Sequence, residues 1–203
     1  MNKHNPIQEY LNYTEKTGMR RNLYKLVQKE FKINSAIYPG SFIDIDPSLF
    51  IKDVTYIDNF KNSITFFDNK ELILDYLNRN KEYREPVSLN FIFEDYTKIK
   101  DIHFVELIIS QYAGFVGQET KQFLKKGGFL LCNDSHGDAT LAHLDKDYKL
   151  IASVNNEIID YNNLDEYFIL SRNREIDVNL VRKKMKGLKY KKNSQNYIFK
   201  KIN

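Results

Sequence analysis

The chain has 203 residues, of which 42% are hydrophobic and 29% charged, with a net charge of +4. That is enough apolar material for one good-sized domain, or a domain with an appendage, and Tyr and Phe must supply its bulk because there is no Trp. A single cysteine, Cys132, excludes an internal disulfide and a cysteine-based zinc cage, and no apolar run approaches the roughly 18 residues that span a bilayer.

The first thirteen residues lack the apolar core of a signal peptide, so a cytoplasmic protein is expected. Charge is unevenly spread. Residues 1–40 carry 7 basic and 3 acidic residues, 41–173 carry 14 and 22, and 174–203 carry 10 and 2. The acidic middle and the basic end therefore need separate accounts.

In chain order, Ile7, Tyr10, Leu11 and Tyr13 start a helical stripe. Leu23, Leu26, Val27 and Phe31 continue one after Gly18, which predicts a helix pair over 7–31 broken at Gly18. Two short apolar runs follow. Ala36-Ile37-Tyr38 breaks at Pro39-Gly40-Ser41, and Val54-Thr55-Tyr56-Ile57 breaks at Asp58-Asn59. Pro47 suits the first position of a short helical turn between them. Leu72, Ile73, Tyr76 and Leu77 predict a helix within 62–83, with Asp68 or Asn69 as its cap. Runs at 88–93 and 105–109 read as buried strands. Residues 116–126 read as a helix closed by Gly127-Gly128.

Phe129-Leu130-Leu131-Cys132 reads as a fifth strand with Cys132 as a small core residue, followed by a short helix over 139–144. Beyond it, 148–154 is a strand, 164–170 is ambiguous, 178–185 is a short basic helix and 196–202 a terminal strand after a turn at 192–194. Strands near 36, 55, 90, 107 and 130 thus alternate with helical or turn segments. That rhythm predicts an α/β fold with a doubly wound sheet, whose right-handed crossovers bring the strand ends to one rim.

Ligands of such sheets sit outside the carboxyl ends of the strands. A glycine turn at Gly40 and a carboxylate at Asp58 suit a nucleoside there, with Asp58 accepting ribose hydroxyls. The plainer readings are a turn glycine and a helix cap. Asp95 and Tyr96 could flank a base or form a solvated loop. Asn133, Asp134, His136 and Asp138 form the densest polar cluster. His136, oriented by a carboxylate such as Asp134, suits a general base. The alternative is a loop in which Asp138 caps the next helix. With His143 these residues match no zinc motif, so no metal is expected.

These features resemble class I S-adenosylmethionine-dependent methyltransferases over residues 34–203. The carrying residues are the Gly40 turn, Asp58, Asp95-Tyr96, the late terminal strand and the Leu124-Lys125-Lys126-Gly127-Gly128-Phe129-Leu130-Leu131 block. The resemblance implies a Rossmann-like, mostly parallel sheet of about seven strands with an antiparallel C-terminal strand. Residues 1–33 would be a helical N-terminal addition. It implies S-adenosylmethionine as cofactor, with Gly40, Ser41 and Asp58 holding it, Asp95 and Tyr96 flanking adenine, and Ser110, Gln111 and Tyr112 lining the methyl-transfer end. His136 would be the base toward an unnamed acceptor.

The first loop departs from the family pattern. Tyr38 stands where an acid is usual and Phe42 where a second glycine is usual, so Phe42 would take up volume near the cofactor. Asp44 and Asp46 lie close enough to replace the missing acid. Ser110-Gln111-Tyr112-Ala113-Gly114 lacks the acid-or-Asn, Pro-Pro, aromatic signature of amine methylation. The other reading is a non-catalytic Rossmann-like binding protein. Its basic C-terminal segment would meet nucleic acid or an acidic partner through Lys183, Lys184, Lys191 and Lys192, or simply form a solvated helix face.

Overall fold

The computed structural model describes residues 5–18, 20–172 and 175–203. The chain divides into two compact units, Met1–Ile99 and Lys100–Asn203. No helix among the described residues is long and apolar enough to cross a membrane.

The first unit opens with helix α1, Pro6–Thr17. Asn5 caps it by accepting from the Ile7 and Gln8 amides, and Gly18, at φ 81°, ends it. Helix α2 runs Arg21–Phe31. The expected break therefore lies where the glycine places it. Strands β1 (Ser35–Pro39), β2 (Asp53–Ile57) and β3 (Ser88–Ile92) lie in the order β3-β2-β1 and are all parallel. Ile37 pairs with Thr55, and Thr55 with Asn90.

Residues 40–52 manage the crossover from β1 to β2 with one 3-10 turn, Asp46–Leu49, which carries Pro47. Ile43, Ile45, Leu49 and Ile51 are buried there, so the connection is itself core. The single helix expected over 62–83 is two, α3 (Lys61–Phe67) and α4 (Lys70–Asn80). They part at Asp68-Asn69, the pair read as a cap. The Asn69 carboxamide in fact donates back to the Thr65 carbonyl at 2.9 Å.

A buried polar network fastens α1 and α2 to the loop after β1. The Tyr10 hydroxyl donates to Asp46 Oδ1, and Arg21 donates to both, at 3.0 Å to Tyr10 and 3.2 Å to Asp46. Arg20 pairs with Asp44 at 3.0 Å, and the Tyr24 and Tyr38 hydroxyls donate to the same Asp44 oxygen at 3.0 and 3.2 Å. Burial raises the Asp44 carboxyl above its ordinary value, the Asp46 charge adds to this, and Arg20 opposes it. Such buried charges persist only when paired.

The second unit contains β4 (Val105–Ser110), α5 (Val116–Glu119), β5 (Leu124–Cys132), α6 (Asp138–Leu144) and β6 (Tyr148–Asn155). It continues with β7 (Ile158–Asp160), α7 (Val178–Lys184) and β8 (Asn196–Lys201). Its strand order is β4-β5-β8-β6-β7. β4 and β5 are parallel, and β8 is antiparallel to both β5 and β6, so the last strand in sequence lies between two earlier ones. The fold is thus α/β and mostly parallel with an antiparallel C-terminal strand. Among the described residues it has eight strands rather than about seven, because the short β7 hairpins onto β6.

A second local expectation fails. The helix over 116–126 ends at Glu119, and Gly127-Gly128 lie inside β5 instead of closing a helix. Gly127, at φ 84°, lets β5 take extra residues opposite a short stretch of β4, where the pairing slips between Val105 and Leu107. A Cβ on Gly128 would stand 3.0 Å from the Glu106 carbonyl. Close backbone approach explains Gly128, and the left-handed backbone explains Gly127.

Candidate functional site

In the first unit the site grows from the ends of β1 and β2. Gly40, at φ 67°, turns the chain as β1 ends, and its amide donates to the Ile57 carbonyl at 2.7 Å. Phe42 is also left-handed, at φ 49°. Its amide donates to Asp58 Oδ2 at 2.8 Å, and the Phe60 amide donates to Asp58 Oδ1 at 2.7 Å. Asp58 therefore does two things at once. It holds the Phe60 amide ahead of α3 without capping that helix, whose N-cap is Phe60, and it pins the glycine turn to the neighbouring strand end. An ionised carboxylate has about four lone-pair sites. Two are used here, which leaves capacity for two hydroxyls.

The Phe42 ring packs edge-on against Tyr13 at 5.2 Å and Phe60 at 5.6 Å. Ser41 is buried within the turn, and its hydroxyl reaches the Phe42 carbonyl at 3.5 Å. Asp44 and Asp46 do not replace the family's acid: both are buried and committed to the network with Arg20, Arg21 and the three tyrosines. Tyr38 points its hydroxyl into the same network. At the end of β3, Asp95 Oδ1 accepts from the Thr97 amide and hydroxyl at 2.9 and 2.8 Å, which caps a 3-10 turn over Tyr96–Lys98. Those bonds lower its pKa.

In the second unit the strand ends carry a ladder of polar side chains. The Ser135 amide donates to Asn133 Oδ1 at 3.1 Å, which fixes the orientation of that carboxamide. Asn133 Nδ2 then donates to Gln111 Oε1 at 3.1 Å, and Gln111 Nε2 donates to Asn196 Oδ1 at 2.8 Å. The Ser135 hydroxyl donates to Asn133 Oδ1 at 2.6 Å and lies 3.0 Å from His136 Nδ1. A hydroxyl has one proton. Ser135 spends it on Asn133, so it accepts from His136, and the imidazole proton sits on Nδ1. Nε2 is left with the free lone pair.

Asp134 does not orient His136. Its carboxylate accepts from the Thr140 amide at 2.7 Å and from the Thr140 hydroxyl at 2.9 Å. Burial lifts its pKa to about 6, against the bonds from Thr140. Gly187 packs directly on the Asp134 backbone, where a Cβ would stand 1.9 Å from its carbonyl oxygen. Asp138 does not cap α6. It reaches the end of β4, accepting from the Ser110 hydroxyl at 2.6 Å and from the Gly117 amide at 2.9 Å. Complete burial pushes its pKa to about 7, although both bonds oppose the rise.

Tyr112, at φ 60° and 59% exposed, leaves the strand end and joins Asn133, Ser135, Asn193 and Gln195 around a hollow of about 330 Å³. His143 lies apart, stacked on Phe168 at 4.5 Å. Cys132 is fully buried, as expected of a core residue. Lys192 is held by Glu166 at 2.9 Å, with its ammonium 4.5 Å from the Tyr167 ring. Gln111 and Asn196 are joined across 85 positions, and no spacing rule signals such a pair.

No family model matches the sequence, and no curated protein matches it. The solved structures do. The N-methyltransferase NodS from Bradyrhizobium japonicum WM9 superposes with a TM-score of 0.52 at 10% identity, over 91% of this chain and 95% of that one. The chain has the methyltransferase fold. TehB from Haemophilus influenzae shares it with a TM-score of 0.52 at 13% identity, over 87% of this chain and 60% of the other. A methyltransferase from Geobacter sulfurreducens gives 0.50 at 9% identity, over 75% and 84%. NodS has also been solved with S-adenosyl-L-homocysteine. The fold that the resemblance implied is thereby established, a mostly parallel sheet with an antiparallel C-terminal strand.

Proposed function

We propose that the chain is an S-adenosylmethionine-dependent methyltransferase. The observation that carries this reading is the glycine turn after β1 tied to Asp58 after β2, on a methyltransferase fold. In the first unit, the two unused acceptor sites on Asp58 suit the paired hydroxyls of a ribose. Gly40 keeps the turn free of a side chain, and the face of Phe42 or Phe60 offers apolar contact. Asp95 and Tyr96 stand at the next strand end for the base.

When bound, S-adenosylmethionine supplies an electrophilic methyl group. The second unit offers Ser110, Gln111 and Tyr112 at the end of β4 and a directed base at His136. With its proton fixed on Nδ1 by the Ser135 contact, His136 takes a proton from an acceptor at Nε2. Gln111, anchored at both ends, is part of the scaffold that holds this orientation. In-line transfer of a methyl group needs little more from a protein than placement and a mild base.

Isothermal titration calorimetry with S-adenosylmethionine tests the reading. The folded parent should bind the cofactor, and Asp58→Ala should weaken binding at least tenfold. A folded parent that takes up no heat at millimolar cofactor refutes it.

A further inference from the structure

The basic C-terminal segment encloses a second hollow of about 330 Å³. Arg172, Lys184, Lys186 and Lys189 stand around it with Ser171, and Leu180 and Leu188 complete its lining. No carboxylate lines it, and among the described residues none of these four cations takes part in an ion pair. The acids nearest in sequence are Glu175, which is not part of the lining, and Asp177, which caps the Leu180 amide at 3.0 Å.

The frame of the hollow is built. The Ser171 amide donates to the Lys189 carbonyl at 3.0 Å, and the Lys191 amide donates to the Ile169 carbonyl at 2.8 Å. Leu170 and Tyr190 bridge between them. Tyr190 is itself tied to Thr140 at 2.6 Å, and Gly187 lies against Asp134. Four cations are thus held around one concavity by secondary structure on both sides. Like charges so arranged repel one another unless an anion joins them.

This hollow shares the segment Lys186-Gly187-Leu188 with the hollow at the strand ends. Beyond that segment come an exposed tyrosine, Tyr112, the amide side chains of Asn133, Asn193 and Gln195, and Asp134, whose carboxylate is engaged by Thr140. A cationic seat beside an exposed aromatic ring and several amides is the combination that takes a phosphodiester and the base next to it.

We propose that these two adjoining hollows form a binding site for single-stranded nucleic acid. A backbone phosphate sits among Arg172, Lys184, Lys186 and Lys189, and the neighbouring base stacks on Tyr112. Of the four lysines that the sequence singled out, Lys184 lines the site, while Lys192 is engaged by Glu166. The site stands on geometry within the second unit and does not depend on methyl transfer.

The test is fluorescence anisotropy with a labelled twelve-nucleotide single-stranded RNA and its DNA counterpart, from 50 to 200 mM salt. One phosphate neutralised among the four cations predicts a slope of log affinity against log salt of about −0.7. Replacing Arg172, Lys184, Lys186 and Lys189 together by Ala should abolish binding at 150 mM salt. Tyr112→Ala should weaken it about tenfold and leave the slope unchanged. A charge-matched control, Lys29, Lys32, Lys52 and Lys70 to Ala, should bind like the parent. Circular dichroism confirms that each variant is folded.

Equal binding by the parent and the first variant overturns the proposal, as does equal loss in the control or no binding by the parent at 50 mM salt. Pyrophosphate or anionic phosphatidylserine vesicles bound at this face, with no oligonucleotide binding, would also overturn it. A parent that binds the oligonucleotide but not S-adenosylmethionine would refute methyl transfer and keep this site.

Discussion

Asp138 gives the sharpest test of how the second unit is held. Its carboxyl is completely buried beneath the end of β4, and its pKa moves from 3.8 to about 7. A native pKa above the unfolded one means that the native state holds the proton more tightly. Stability from this group is therefore fully present below about pH 4, falls as pH rises toward 7, and stays low beyond. At about 1.4 kcal/mol for each pH unit, the loss is about 4 kcal/mol. Asp138→Asn removes the titration but weakens one of the bonds to Ser110 and Gly117, a cost of about 1.5 kcal/mol. The two stability curves should therefore cross. The variant should be about 1.5 kcal/mol less stable at pH 4 and about 2.5 kcal/mol more stable at pH 8. Urea denaturation at half-unit pH intervals measures both curves. Asp44 rises for the same reason, but it contributes to both proteins and cancels in the difference, whereas the Asp134 charge is part of what raises Asp138. Parallel curves would show that Asp138 is charged in the native state and that the argument from burial is wrong.

Nitrogen NMR of the histidine side chains should show His136 in the Nδ1–H form at pH 8, and Ser135→Ala should return it to the ordinary preference for Nε2–H. An unchanged tautomer in that variant would separate His136 from the ladder. Gly187→Ala forces a methyl group onto the Asp134 carbonyl, so it should cost about 3 kcal/mol and lower the melting temperature by about 10 °C. A melting temperature equal to the parent's would mean that the contact yields.

The sequence exposes the first three strands of the parallel sheet because each is a short apolar run stopped by a polar turn. Asp58 is legible for the same reason, since a strand that ends on an acid places it at the rim. The Gly127-Gly128 pair misleads because glycines that end a helix and glycines that admit a close neighbouring strand look alike in one dimension. Asp134 and His136 are two residues apart, which suggests a pair. The loop instead turns Asn133 back onto the Ser135 amide and sends Asp134 to Thr140. Asp44 and Asp46 stand within a few positions of the glycine turn, yet Arg20, Arg21 and three tyrosines draw them inward. Charge partners supplied from another element decide such cases, and local spacing contains no trace of them.

The place of β8 between β5 and β6 also sets an order of assembly. While the chain is being made, β5 and β6 emerge with bare edges that only residues 196–201 can cover. The ladder from Asn196 to His136 cannot form before that strand arrives. A nascent chain would thus carry an unfinished rim and two sticky strand edges until residues 196–201 have been made. Chaperone contact and premature aggregation should both concentrate on this interval.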